Sequence, residues 1–196
     1  MSADHATLPV AARVRRLEER LIGAGVVTDD QLDAILAKYL ASASPVNGAR
    51  LTARAWSDED FRGRLLADAN SALAELGLSM GGGLQEQRLK VVPNAPGRHN
   101  VIVCTLCSCY PISLLGPSPG WYKTEAYRSR VVREPRAVLA EFGLRLPDDT
   151  EITVWDSSAE TRYMVLPLRP PGTAGLSEDQ LAALVTREGL IGTAAV

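Results

Sequence analysis

Apolar residues recur at helical spacing near the start of the chain. Four of them share one face of a first predicted helix, namely Val10, Val14, Leu17 and Leu21. Gly25 interrupts this pattern, and Thr28 with Gln31 matches a capping box that predicts the start of a second helix. The stretch ASASPVNGARL at 41–51 is predicted to be a loop. Because no strand pattern lies beside these helices, residues 1–50 are predicted to form a helical arm, packed either on a partner subunit or on its own domain.

Three further helical patterns follow the arm. The first begins at Ser57 and ends near Gly77, a residue that suits a C-terminal cap. The second covers about 125–142, with Pro135 restarting the helix. Ser177 is predicted to cap the last helix.

Four short runs rich in β-branched residues predict strands. They lie at 88–93, 99–104, 151–156 and 161–167. The last two are separated by a short polar turn and are predicted to pair as a hairpin. Residues 51–196 are therefore predicted to form an α+β domain behind the helical arm.

Length and charge exclude several classes of protein. The chain of 196 residues is long enough for one good core. Its formal net charge of −2 gives no electrostatic reason to expect a nucleic acid or an anionic membrane as partner. No apolar run approaches the roughly eighteen residues of a membrane-spanning helix, and the N-terminus lacks the layout of a signal peptide. We therefore expect a cytoplasmic protein.

All three cysteines lie in one short stretch, VCTLCSCYP at 103–111. In a reducing compartment, this clustering favours metal binding or redox chemistry over a structural disulfide. The sulfurs of Cys107 and Cys109 can lie in one plane with the main-chain nitrogens of Ser108 and Cys109, provided that both nitrogens lose their protons. Cys104 can add an axial sulfur, which leaves a sixth position open, as a catalytic metal needs.

The charge of this ligand set favours a trivalent metal. Three thiolates and two ionised amides carry five negative charges, and amides ionise only beside a strongly polarising ion. Trivalent cobalt or iron fits, whereas Zn²⁺ prefers a tetrahedron and rarely uses amides. Two alternatives remain open: a structural zinc site with His99 as fourth ligand, and a disulfide that leaves one thiol over.

The stretch VCTLCSCYP resembles the metal-binding loop of nitrile hydratase α subunits. The likeness extends to WYKTEAYRSRVVREPRAVLAEFG and ITVWDSSAETRYMVLPLRPPGTAGLSEDQ after the loop, and to AWSDEDFRGRLLADANSALAELG before it. It covers about residues 10–192. The resemblance implies an N-terminal helical arm followed by a layered α/β/β/α domain, a separate β subunit as partner, and hydration of a nitrile to the amide.

The resemblance also assigns roles within the loop. It makes Cys104 the axial thiolate, with Cys107 and Cys109 as equatorial thiolates and the nitrogens of Ser108 and Cys109 completing the plane. In mature relatives the residue matching Cys107 becomes a sulfinic acid and the one matching Cys109 a sulfenic acid. The expected chemistry is polarisation of the nitrile or of a water at the open position, with the oxidised Cys109 as nucleophile or base.

The residues around the cysteines indicate which metal to expect. Thr105 and Tyr110 resemble the cobalt version of the loop, so Co(III) is expected, with Fe(III) as the alternative. An activator protein is expected to insert the metal, because Co(III) exchanges its ligands slowly.

Residues outside the loop are matched to the pocket by the same resemblance. Gln85 is expected to orient substrate or water, with a solvated loop amide as the alternative. Trp121 is expected to line the substrate channel, with an ordinary core tryptophan as the alternative. The polar turn of the predicted hairpin resembles a network around the family's site, formed by Asp156, Ser157, Glu160 and Arg162. Most arginines of the 125–142 region are expected to be solvated or to pair with the β subunit, namely Arg128, Arg130, Arg133 and Arg136.

Two other functions fit the same loop. The γ subunit of thiocyanate hydrolase, which releases carbonyl sulfide and ammonia, resembles this chain and uses the same cobalt loop. A metal-binding subunit that is inactive without its partner is the second alternative. The stretch PISLLG at 111–116 lacks a tryptophan common in nitrile hydratases, which predicts a roomier or differently shaped pocket.

Overall fold

The computed structural model describes most of the chain. The described residues are 9–81, 87–107 and 109–196, with the main chain alone for 39–42. They form two units, Met1–Ala41 and Ser42–Val196. Within the described residues, no helix has both the length and the apolar character needed to cross a bilayer.

The first unit contains the two predicted helices. Helix α1 is Val10–Gly23 and α2 is Asp29–Ser42. Gly25 turns the chain between them with a φ of +71°. The amide of Thr28 donates to Gln31 Oε1 at 3.0 Å, and the amide of Gln31 donates to Thr28 Oγ1 at 3.2 Å. The predicted capping box is therefore confirmed.

The predicted loop at 41–51 is wrong for most of its length, because helix α3 spans Pro45–Ser57. The side chain of Ser44 accepts from the amide of Val46, and Pro45 occupies the first turn, where a missing N–H is tolerated. The small residues that indicated a linker instead allow close packing. A Cβ on Gly48 would lie 2.8 Å from the carbonyl oxygen of Leu114. The boundary expected at residue 50 thus falls inside a helix of the second unit.

The single helix predicted from Ser57 is divided into α4, Glu59–Ala67, and α5, Ala69–Glu75. Asp58, rather than Ser57, caps the first by accepting from the amide of Phe61 at 2.9 Å. Asp68 ends α4 and caps α5. The spacing of apolar residues predicted one continuous helix because it contains no sign of the cap at Asp68.

In the part of the chain that the structure describes, four strands form two small parallel sheets. They are β1, Arg88–Pro93; β2, Arg98–Val103; β3, Glu151–Asp156; and β4, Thr161–Leu166. Strand β1 pairs with β4, with Arg88 opposite Thr161, and β2 pairs with β3, with Arg98 opposite Glu151. The predicted hairpin of β3 with β4 is therefore wrong. The mostly buried apolar runs of β2 and β4 are typical of parallel pairing, whereas an exposed hairpin would alternate.

The remaining helices complete a layered α+β domain. They are α6, Ile112–Leu115; α7, Glu125–Arg133; α8, Pro135–Glu141; α9, Glu178–Leu184; and α10, Arg187–Ile191, with a 3-10 turn at Gly120–Lys123. Helices α4 and α5 pack on β1, β4 contacts β2 of the other sheet, and α8 packs on β3. This order confirms the α/β/β/α layers. The restart at Pro135 and the end at Gly143, with a φ of +87°, are confirmed as well.

Candidate metal centre

The three cysteines follow β2 directly and bring their sulfurs together. Cys104 Sγ lies 3.4 Å from Cys107 Sγ, which lies 2.9 Å from Cys109 Sγ, and all three lie within 4.8 Å of one another. Cys104 is buried, Cys107 is exposed and Cys109 is partly exposed. This thiol cluster of Cys104, Cys107 and Cys109 is therefore buried at Cys104 and accessible to solvent at Cys107.

Two of the three sulfur pairs are close enough for both sulfurs to bind one ion. Two thiolates bound at about 2.3 Å lie about 3.3 Å apart at a right angle and about 3.8 Å apart in a tetrahedron. The distances of 3.4 and 2.9 Å are near or below these values, and the remaining pair, Cys104 and Cys109, lies within 4.8 Å. The size of the thiol cluster therefore suits a single metal ion.

His99, the fourth ligand of the zinc alternative, is engaged elsewhere. Its Nε2 lies 2.7 Å from the carbonyl oxygen of Gly192, and its Nδ1 lies 3.2 Å from Asn94 Nδ2. Among the described residues, the three cysteines form the one group able to hold a metal. The structure therefore gives zinc no histidine ligand from this position.

The thiol of Cys109 holds its proton tightly. Burial is the largest cause that raises its pKa, to about 12; the hydrogen bond with Cys107 is the next cause, and the charge of Arg162 opposes the rise. A thiolate ligand at Cys109 therefore requires a cation that displaces the proton on binding.

Asp156 anchors the start of the cysteine loop. It is the last residue of β3, and parallel pairing places it opposite Val103 of β2. Its Oδ1 accepts from the amide of Thr105 at 2.9 Å, and its Oδ2 accepts from the Thr105 hydroxyl at 2.5 Å. The residue expected in a polar network thus contacts the cysteine loop directly.

The 3-10 turn and α7 each donate a hydrogen bond to a main-chain carbonyl of the cysteine loop. Tyr122, in the 3-10 turn, donates its hydroxyl to the carbonyl oxygen of Cys109 at 3.2 Å. Arg128, on α7, donates Nη1 to the carbonyl oxygen of Cys107 at 2.9 Å. No pattern in the sequence indicated either contact, since each depends on where α7 and its preceding turn pack. Arg128 therefore differs from the solvated arginines expected on this helix.

Of the other residues expected in the polar network, Arg162 lies near the thiol cluster, whereas Glu160 forms a local hydrogen bond. Arg162 is buried on β4, donates Nη1 to the carbonyl oxygens of Ser158 and Ala159, and lies near enough to Cys109 to lower its pKa. Glu160 accepts locally from the hydroxyl of Ser158 at 3.1 Å. Ser157 is buried, and its hydroxyl has no partner among the described residues.

Of the two residues expected in the substrate pocket, the structure describes Trp121 but not Gln85. Trp121 is half-buried, with its ring 4.8 Å from that of Tyr127 and 4.6 Å from that of Phe142. These contacts place it in an aromatic cluster beside α7 and α8. Gln85 and Ser108 lie outside the described residues, so their roles stay predictions.

The fold and the thiol cluster together define a metal-binding α+β protein. A family model described as "Nitrile hydratase, alpha chain" matches residues 8–194. The chain therefore belongs to the nitrile hydratase α-chain family.

Individual relatives agree with this assignment. The chain is 51% identical over 183 residues to the low-molecular weight cobalt-containing nitrile hydratase subunit alpha of Rhodococcus rhodochrous, covering 93% of this chain and 87% of that protein. It is 41% identical over 200 residues to the thiocyanate hydrolase subunit gamma of Thiobacillus thioparus, covering 98% and 80%. A double mutant of the Fe-type nitrile hydratase from Comamonas testosteroni Ni1 has a similar structure, with a TM-score of 0.88, 43% identity, and 95% and 89% coverage. The expected family and the nitrile hydratase class of enzyme are confirmed, while cobalt and iron types both occur among the relatives.

Proposed function

We propose that the chain is the metal-binding subunit of a cobalt-type nitrile hydratase, which converts a nitrile to its amide in complex with a β subunit. The convergence of three sulfurs within 4.8 Å at the end of β2 carries this proposal. In it, the sulfurs of Cys104, Cys107 and Cys109 and the main-chain nitrogens of Ser108 and Cys109 would hold the metal.

Two observations support Co(III) over Fe(III). Thr105 and Tyr110 resemble the cobalt version of the loop, and Thr105 is fixed by Asp156 next to the ligands. Relatives named as cobalt-containing are 51%, 50% and 44% identical to this chain, and the Fe-type structure is 43% identical. Because Co(III) exchanges ligands slowly, an activator protein is proposed to insert it.

The burial of the cysteines suggests how their roles divide. A trivalent ion held here would supply Lewis-acid polarisation of a nitrile or a water. Cys104 is buried and is proposed to serve only as a ligand. Cys109 is partly exposed, and the oxygen of its sulfenate is proposed as the nucleophile or base, beside a sulfinic Cys107.

Gln85 and Trp121 are proposed to shape the substrate pocket. The packing of Trp121 against Phe142, at 4.6 Å between ring centroids, would hold its indole ring in one orientation. Gln85 is proposed to orient substrate or water.

The helical arm, formed by α1 and α2, is proposed to pack on the β subunit, and the unit Ser42–Val196 is proposed as the metal-binding domain. Apolar side chains of α1 and α2 support this surface, since Val10 is 71% exposed, Leu17 57% and Ile35 61%. A cytoplasmic location is proposed as well, supported by three cysteines that form no disulfide.

The proposal is tested on the complex of this chain with its β subunit, produced with an activator protein and cobalt. Elemental analysis should find one cobalt for each α chain, and intact mass should show a gain of about 48 Da from the two sulfinic oxygens and one sulfenic oxygen. A cobalt-loaded Cys109→Ser complex should lose nitrile hydration. Tetrahedral zinc, or undiminished turnover by that variant, would contradict the proposed site.

Thiocyanate hydrolysis is the second candidate, favoured by the 41% identity to the Thiobacillus subunit. The same loaded complex is assayed with nitriles and with thiocyanate. Amide formation supports the proposal, whereas release of carbonyl sulfide and ammonia supports the alternative. A loaded complex that turns over neither substrate would indicate a metal-binding subunit without catalysis of its own.

A further inference from the structure

The contact between Arg128 and Cys107 involves a particular peptide group. Arg128 Nη1 lies 2.9 Å from the carbonyl oxygen of Cys107. By covalent structure, that carbonyl shares its peptide group with the nitrogen of Ser108, which the proposed function makes a metal ligand. Tyr122, by contrast, donates to the carbonyl of Cys109, whose peptide nitrogen belongs to Tyr110 and is not a proposed ligand.

A peptide group that binds a metal through an ionised nitrogen is an anion. Resonance across the C–N bond places part of its negative charge on the carbonyl oxygen. A hydrogen bond between two charged groups is shorter and about twice as strong as one between neutral groups. The guanidinium of Arg128 therefore contacts the oxygen on which this charge would develop.

The charge of Arg128 is not neutralised within the described residues. No carboxylate there forms an ion pair with it, whereas Arg130 of the same helix pairs with Glu134 and Glu141. Arg128 Nε is buried and has no acceptor among the described residues. Within the described residues, Arg128 is thus a half-buried cation without a carboxylate partner, beside a proposed ligand set that would carry five negative charges.

We propose that Arg128 is a positioning residue of the metal centre, which fixes the Cys107–Ser108 peptide group and stabilises its negative charge when the metal is bound. This inference rests on the proposed function, because it requires the nitrogen of Ser108 as a ligand. The planar guanidinium suits the role, since it stays charged and directs its donors in a fixed plane.

The test compares Arg128→Gln and Arg128→Lys in the cobalt-loaded complex with the β subunit. Arg133→Gln is the matched control, because Arg133 lies on the same helix and its Nε donates to the carbonyl of Ser129 at 3.1 Å. The readouts are cobalt for each α chain, the rate of cobalt release to excess EDTA, and the wavelength of the sulfur-to-cobalt charge-transfer band.

Arg128→Gln should release cobalt about tenfold faster than wild type or more, as expected for loss of one hydrogen bond to a charged group. Its charge-transfer band should also shift. Arg128→Lys should be intermediate, because it keeps the charge without the planar geometry, and Arg133→Gln should match wild type. Wild-type release and absorption in Arg128→Gln would overturn the inference.

The remaining outcomes are also decisive. If Arg128→Gln does not assemble with the β subunit, Arg128→Lys is compared in its place, and wild-type release by that variant would overturn the inference. A wild-type complex with tetrahedral zinc would refute the proposed function itself. An intact wild-type cobalt centre that is indifferent to residue 128 would refute the role of Arg128 alone.

Discussion

Replacing Gly192 with alanine tests how the C-terminal segment supports β2, the strand that leads to the thiol cluster. Gly192 ends α10 with a φ of +90°, and its carbonyl oxygen lies 2.7 Å from His99 Nε2. A Cβ at this position would lie 2.1 Å from the carbonyl oxygen of Asn100 and 2.9 Å from Val101 Cα. Both atoms belong to the main chain of β2, so neither can move aside by a change of rotamer.

The expected loss of stability has two parts. A left-handed conformation costs a residue with a Cβ about 1–2 kcal/mol. Forcing a carbon into occupied space costs about 1–3 kcal/mol more. Gly97→Ala carries the first part only, because Gly97 has a φ of +73° and no described atom lies within 4 Å of its added Cβ. The difference between the two variants therefore isolates the close approach to β2.

Urea unfolding of the full chain, followed by tryptophan fluorescence, measures this difference. All three tryptophans lie in the second unit, at Trp56, Trp121 and Trp155. Gly192→Ala should lower the free energy of unfolding by about 2–5 kcal/mol in all, and by about 1–3 kcal/mol more than Gly97→Ala. In a thermal melt this extra loss corresponds to about 2–4 °C for each kcal/mol.

Equal losses for the two variants would refute the reasoning. They would mean that the C-terminal segment can shift away from β2 without consequence, and that the contact does not restrain the strand. A larger loss for Gly192→Ala should be accompanied by lower cobalt content in the complex, because Cys104 directly follows that strand.

Three further substitutions test hydrogen bonds of the cysteine loop and the burial of His99 on β2. Thr105→Val keeps the main-chain bond to Asp156 but loses the hydroxyl bond of 2.5 Å, and should release cobalt about three- to tenfold faster in the EDTA assay; wild-type release would contradict this. Burial lowers the pKa of His99, so the unfolded chain binds this proton at higher pH and stability should fall as the pH drops below about 6.5. Urea midpoints between pH 5 and 7 should therefore vary less in His99→Gln, and an unchanged slope would exclude this residue as the cause. Tyr122→Phe loses the bond to the Cys109 carbonyl and should cost about 1 kcal/mol in the same urea assay, whereas wild-type stability would show that this bond is dispensable.

Some features of the fold could be predicted because they depend on neighbouring residues. The capping box of Thr28 and Gln31 and the helix restart at Pro135 each involve groups within one turn of chain. Helix α3 could not be predicted because its small residues resemble a linker, and the packing of Gly48 against Leu114 and Leu190 is visible only in the folded chain.

The pairing of the strands could not be predicted in the same way. The four-residue separation of β3 and β4 favoured a hairpin, but the two strands lie in different sheets, paired with β2 and β1. Local spacing carries no information about partners that lie about fifty to seventy residues away, since their pairing depends on which faces become buried together.

The sequence by itself determined which side chains form the candidate metal centre. The three cysteines are close in space because they are close along the chain, so their clustering and the family resemblance could both be recognised. Only the tertiary structure decided what surrounds them. Asp156 reaches the loop through the pairing of β3 with β2, and Arg128 reaches it through the packing of α7, both from more than twenty residues away along the chain. Such contacts result from burial of the shared core, which no short segment encodes alone.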